Sequence, residues 1–173
     1  MSSKTEKFEE QVRQFKEIEL PRYKVYAGVL RELFALATQS IAPQAIVQVR
    51  TKSVPSFAEK ILRKGYEDPF VQMTDLCGAR IITHTKAEID RFCEFIRECC
   101  EIDEAKSTDL TSMFLLTKLG YRSRHFVIYI PRSGWRDKGK ISIPVPDSVY
   151  DLKAEVQVRT IAQPARSAPR RST

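Results

Sequence analysis

The chain has 173 residues, enough for one domain with its own core and too few for two. Its 42% hydrophobic and 29% charged content is that of an ordinary water-soluble protein, and no apolar run approaches the roughly 18 residues that a membrane span needs. A formal net charge of +7 favours anionic partners, either nucleotides or nucleic acid, without choosing between them.

The amino terminus, MSSKTEKFEEQ, is charged and has no apolar signal core, so no export is expected and the expected location is cytoplasmic. Four cysteines without CxxC spacing and only two histidines argue against a structural zinc site and fit reduced, buried thiols. Phe8, Val12 and Phe15 recur at helical spacing among charged residues, which predicts an amphipathic helix of about three turns that Leu20-Pro21 should end. Tyr26, Val29, Leu30, Leu33, Phe34 and Ala37 make a second stripe, predicting a helix from residue 23 to about residue 39.

Residues 45–50, AIVQVR, read as a short buried strand. Ser53 can cap a following helix that has Pro55 in its first turn. Ser56 and Lys60 share a face of that helix, and Arg63 and Lys64 extend its charge. The spacing from Arg50 through Lys52 and Ser56 to Lys60 is R-x-K-x3-S-x3-K. It sets cations at a strand exit and a helix amino terminus, where backbone N–H groups and the helix dipole add to them. That is either a phosphate cradle or a solvated basic face.

Residues 75–84, DLCGARIITH, read as a turn entering a strand of β-branched residues. Asp75 and Arg80 lie five apart, so they can serve one site only if Asp75 precedes the strand or Gly78 marks a bulge. Otherwise Asp75 is a helix or turn cap. Ile89, Phe92, Cys93, Ile96 and Cys99 predict a helix over 86–99 with both cysteines packed inside it. Residues 101–109 show no strand pattern.

Gly120 precedes a strand in which Tyr121, Ser123, His125, Val127 and Tyr129 share a side. Tyr121 and His125 could stack on a base and hydrogen-bond it, or form an aromatic core edge. Residues 131–147 read as a long loop or hairpin extension, with Trp135 exposed or clamped locally. Residues 151–160, DLKAEVQVRT, alternate without a break. Leu152, Ala154, Val156 and Val158 fall on one side, and Lys153, Glu155, Gln157 and Arg159 on the other. Taken alone, that polar row is a solvated outer face. Two prolines and three arginines mark residues 161–173 as a basic tail expected to be disordered.

In order, R-x-K-x3-S-x3-K, D-x2-G-x-R, GYRSRH and EVQVRT resemble the synthetase domain of the RelA/SpoT family, the enzymes that make the alarmone (p)ppGpp. The resemblance covers about residues 20–160, and the size is similar to that of the small, stand-alone synthetases. It implies a nucleotidyltransferase-like α+β domain over residues 1–160, with a mixed sheet of about five strands flanked by helices and residues 1–40 as amino-terminal helices. It also implies transfer of pyrophosphate from ATP to the 3′-hydroxyl of GDP or GTP, with Mg²⁺.

Carried onto this chain, the resemblance has Arg50 and Arg80 sandwich adenine while Lys52, Ser56 and Lys60 hold the ATP phosphates. Asp75 and Glu155 would bind Mg²⁺, and Glu155 would help to deprotonate the 3′-hydroxyl. Tyr121 would stack on guanine and His125 would lie near the acceptor's phosphates or ribose. Gln157 and Arg159 would support the acceptor side from the strand of Glu155. The chemistry asks for such groups in any case. A ribose hydroxyl is a poor nucleophile until a carboxylate takes its proton or a metal lowers its pKa, and a pyrophosphoryl group needs several cations around it.

The family continues beyond EVQVRT into a helical region with a His-Ala-Trp-like stretch that residues 161–173 do not resemble. A truncated or divergent carboxy terminus with lowered activity is therefore expected. Small synthetases of the family often assemble through terminal helices, so the resemblance leaves a homo-oligomer open, while the sequence itself does not give the oligomeric state. Two alternatives stand beside this reading: the same transfer to an adenosine nucleotide or an RNA 3′ end, and a non-catalytic nucleotide- or RNA-binding module.

Overall fold

In the computed structural model, which describes residues 2–109, 123–135 and 141–161, the chain begins with one helical run. Helix α1 (Ser2–Gln14) passes through a π turn at Phe15–Glu19 into helix α2 (Leu20–Ile41). Pro21 therefore does not end the helix, contrary to expectation. The wide turn is closed by the Leu20 N–H on the Phe15 carbonyl, and Pro21 falls in the first turn of α2, where a missing N–H costs no hydrogen bond. Beyond it, Tyr26, Leu30, Leu33, Phe34 and Ala37 are all buried, as their spacing predicts.

The strands are β1 (Ile46–Thr51), β2 (Cys77–Thr83), β3 (Glu101–Ile102), β4 (Thr108–Asp109), β5 (Ser123–Tyr129) and β6 (Lys153–Thr160). They form one sheet in the order β1-β2-β6-β5-β3, with β4 also on β5. The β2–β6 pair is parallel and the other pairs are antiparallel, so the sheet is mixed, as expected. Strand β6 lies at its centre. Its Ala154, Val156 and Val158 are fully buried, and in register they continue into Ala79 and Ile81 on one side and Ile128 and Phe126 on the other. Helices α2 and α5 (Lys86–Cys99) pack on this apolar face, and Tyr26 Oη donates to the Ile128 carbonyl at 3.4 Å.

Three local expectations change. Strand β1 is an exposed edge with a single neighbour, and Ile46 is 50% exposed, so its apolar residues do not make it a buried strand. Residues 101–109 do contribute strands, but β3 and β4 have two residues each, too few to show a period of two. Lys153 leaves the expected polar row: it is buried, and its ammonium donates to the Val71 carbonyl of helix α4 (Pro69–Gln72). Trp135 is buried and clamped locally, donating through Nε1 to the Ile143 carbonyl at 2.8 Å. The four cysteines are buried thiols. Among the described residues no helix is long and apolar enough to cross a membrane. The basic tail from residue 162 onward lies outside the described residues.

Candidate active site

Helix α3 (Val54–Lys64) is fixed by its caps and by its apolar side. The Ser56 N–H donates to the Ser53 side chain at 3.3 Å, and Gly65 ends the helix in the left-handed region at φ 63°. Phe57 stacks on Phe15 with ring centroids 4.1 Å apart and also packs on Phe70, 5.6 Å away. With Phe57 and Ile61 buried, Ser56 and Lys60 are left on the side that faces the exit of β1 and the entry of β2.

Asp75 precedes β2, which is the arrangement that lets it share a site with Arg80 without a bulge. The Lys52 N–H donates to the Leu76 carbonyl at 2.9 Å and ties the exit of β1 to the entry of β2. Both cations of the basic motif then reach the same carboxylate. Lys52 Nζ lies 2.7 Å from Asp75 Oδ2, and Lys60 Nζ lies 2.8 Å from Oδ1. Burial alone would raise the Asp75 pKa, but the hydrogen bonds and charges of the two lysines outweigh it and hold the carboxyl below its ordinary value.

The register of the sheet sets the remaining groups in two rows on the face away from α2 and α5. One row runs Arg50, Gly78, Glu155, Val127 across β1, β2, β6 and β5. The next runs Gln48, Arg80, Gln157, His125. Arg50 and Arg80 are thus diagonal neighbours. Glu155 accepts from Thr74 Oγ1 at 3.2 Å through Oε2 and lies 3.8 Å from His125 Nδ1 through Oε1. Arg80 Nε donates to Gln157 Oε1 at 3.1 Å, and Gln157 Nε2 lies 2.8 Å from His125 Nε2. Burial lowers the His125 pKa; Glu155 opposes this and Arg80 adds to it, leaving the imidazole below its ordinary value.

A cavity of about 360 Å³ opens over these rows. Its lining includes Arg50, Lys52, Ser56, Asp75, Arg80, Glu155 and Gln157, seven of the residues singled out in the sequence. Lys60 joins them through Asp75, and His125 through Gln157 and Glu155. Arg159 continues the same face beyond Gln157, opposite Ser123, and is not part of the lining. Tyr121 lies outside the described residues. Sequence reasoning missed Gln48 and Thr74. Gln48 stands two residues before Arg50, and the alternation of β1 would have put it on the same face. Thr74 carried no signal, because its partner Glu155 is far along the chain.

The model of the region found in RelA/SpoT proteins matches residues 49–168, which run from within β1 through β6 and take in the site residues described above except Gln48. The chain belongs to the RelA/SpoT family. None of the curated proteins matches it. Among solved structures, the RelA/SpoT-family chain is similar to small alarmone synthetase 2 from Bacillus subtilis, with 28% identity and a TM-score of 0.58 over 83% of this chain and 71% of that one. It also resembles smu.1046c from Streptococcus mutans UA159, with 24% identity and a TM-score of 0.59 over 84% and 71%. Small alarmone synthetase 1 from Bacillus subtilis, solved bound to its product pppGpp, shares the fold at 22% identity, with a TM-score of 0.56 over 86% and 74%.

Proposed function

We propose that this RelA/SpoT-family chain is a pyrophosphokinase that moves the pyrophosphoryl group of ATP to the 3′-hydroxyl of GDP or GTP. Residues 1–160 would form its synthetase domain, with residues 1–40 as the amino-terminal helices. One observation carries the reading beyond family membership: Lys52 and Lys60 converge on Asp75 while Glu155 lines the same cavity, so cations for a polyphosphate and a pair of carboxylates share one space.

In this reading Arg50 and Arg80 stack their flat guanidinium groups on adenine, as their diagonal placement allows. Lys52, Ser56 and Lys60 take the ATP phosphates at the amino-terminal end of α3. Glu155 accepts the proton of the acceptor's 3′-hydroxyl. The new bond forms between that oxygen and the β-phosphorus, the bond from the β-phosphorus to the oxygen bridging to the α-phosphate breaks, and AMP leaves. His125, Gln157 and Arg159 serve the acceptor side, and Tyr121 stacks on guanine.

Mg²⁺ takes one or two carboxylates together with substrate phosphate oxygens, and Asp75 and Glu155, lining one cavity, fit that donor set. When bound, Mg²⁺ would neutralise the charge that develops on the phosphoryl oxygens. Support for the acceptor comes from the small alarmone synthetase similarity at 28% identity.

The test is incubation with labelled ATP, Mg²⁺ and GDP, GTP, an adenosine nucleotide or RNA in turn, following labelled product and AMP together. Label on GDP or GTP with equal AMP is the expected result. Label on RNA or on the adenosine nucleotide alone would replace the acceptor, and tight nucleotide binding without AMP would mean a binding module.

A further inference from the structure

The Gln157 amide joins the two halves of the site, and its ends are not interchangeable. Arg80 Nε can only donate, so the oxygen of the amide must face it, at 3.1 Å. The amide nitrogen is then the atom 2.8 Å from His125 Nε2. That nitrogen also only donates, so His125 Nε2 must accept, and the proton of the neutral ring belongs on Nδ1. Nδ1 is the nitrogen turned toward Glu155 Oε1, 3.8 Å away. The Ser123 hydroxyl, 3.1 Å from His125 Nε2 and 3.3 Å from Gln157 Nε2, can accept from the amide or donate to the ring and fits the same assignment.

We infer that Gln157 is a positioning residue that fixes His125 in its Nδ1–H tautomer and so turns a donor, not a lone pair, toward Glu155. The order of strands builds this relay, since Arg80, Gln157 and His125 are cross-strand partners on β2, β6 and β5. The opposite tautomer would set the Nδ1 lone pair against the carboxylate. At 3.8 Å the ring and Glu155 are not directly bonded, which leaves the N–H able to hold an oxygen lodged beside the carboxylate. Gln157 thus acts through His125 and Arg80, a different role from direct contact with the acceptor nucleotide. The catalytic consequence rests on the proposed role of Glu155; the tautomer does not.

The chain has only two histidines, His84 and His125, so the ring state is directly readable. Long-range ¹H–¹⁵N correlation spectra of the free, labelled protein at about pH 8, above the ordinary imidazole pKa, report which ring nitrogen carries the proton, with His84→Gln giving the assignment. The expected result is Nδ1–H in the wild type, loss of that preference in Gln157→Leu, and Nε2–H in Gln157→Glu, whose oxygens can only accept. An Nε2-protonated His125 in the wild type, or an Nδ1–H ring that persists in Gln157→Glu, would overturn the inference. In turnover, Gln157→Leu is expected to lower kcat roughly 10- to 100-fold, the scale seen when outer partners of metal-binding groups are removed. Unchanged kcat would remove the functional half of the inference. Transfer that survives in Glu155→Gln would instead sink the role of Glu155 while the spectra still decide the tautomer.

Discussion

Asp75 holds the same two ammonium groups that the proposed reaction assigns to phosphate oxygens. In the proposed reaction a metal–nucleotide complex would have to take Lys52 and Lys60 from this carboxylate. Asp75→Asn is therefore expected to bind metal-free ATP more tightly than the wild type, by about fivefold for about 1 kcal/mol of partly exposed pairing. The same variant is expected to lose the gain that Mg²⁺ gives and to lose transfer. Calorimetric titrations with and without Mg²⁺ check this, and weaker metal-free binding by the variant would count against it. A second consequence concerns pH. The Asp75 pKa is lower folded than unfolded, so its stabilisation is present above the unfolded value of about 3.9 and lost as pH falls through the folded value. Denaturant midpoints of wild type and Asp75→Asn should converge on acidification below about pH 4; a gap that stays constant would contradict the lysine pairing. At this scale the sequence was legible where residue type and spacing coincide, as at Lys52, Ser56 and Lys60. It was not legible at Thr74, whose contact with Glu155 joins two distant segments, nor at Lys153, whose burial depends on the carbonyl of Val71.

Elements with a repeated pattern were readable from the chain. The period of α5 and the alternation of β6 fall where their apolar residues predict, because burial on one face imposes the period. Elements that depend on partners were not readable. The exposed position of β1 and the two-residue strands β3 and β4 follow from pairing that leaves no local repeat. Gly78 shows how an element can shape the cavity. It stands in register between Arg50 and Glu155 and leaves the row open there. An added Cβ would meet only the Glu155 carbonyl, at the ordinary contact distance of 3.8 Å, so packing of the free protein does not demand glycine. Gly78→Ala is expected to keep the wild-type denaturation midpoint while losing nucleotide affinity, measured by titration on the folded variant. A variant that unfolds, or one that binds as well as wild type, would show that the gap is not substrate space.

At the scale of the whole molecule, one sheet separates two tasks. Helices α2 and α5 close its apolar face, and the opposite face carries the two polar rows and the cavity. Four motifs in order made the family and the α+β class legible in the sequence. The strand order was not, because it depends on parallel pairing of residues 78–83 with residues 155–160, which lie nearly half the chain apart. That pairing is also what makes a site of the motifs, since it sets Gly78 beside Glu155 and Arg80 beside Gln157. The central claim is that this face performs pyrophosphoryl transfer with Glu155 as proton acceptor. Single-turnover transfer from labelled ATP to GDP or GTP by wild type and Glu155→Gln, with nucleotide binding measured on the same samples, tests it most directly. The expected result is retained ATP binding and a transfer rate lower by roughly 100- to 10,000-fold, the usual range for loss of a general base; transfer by Glu155→Gln at the wild-type rate would contradict the account.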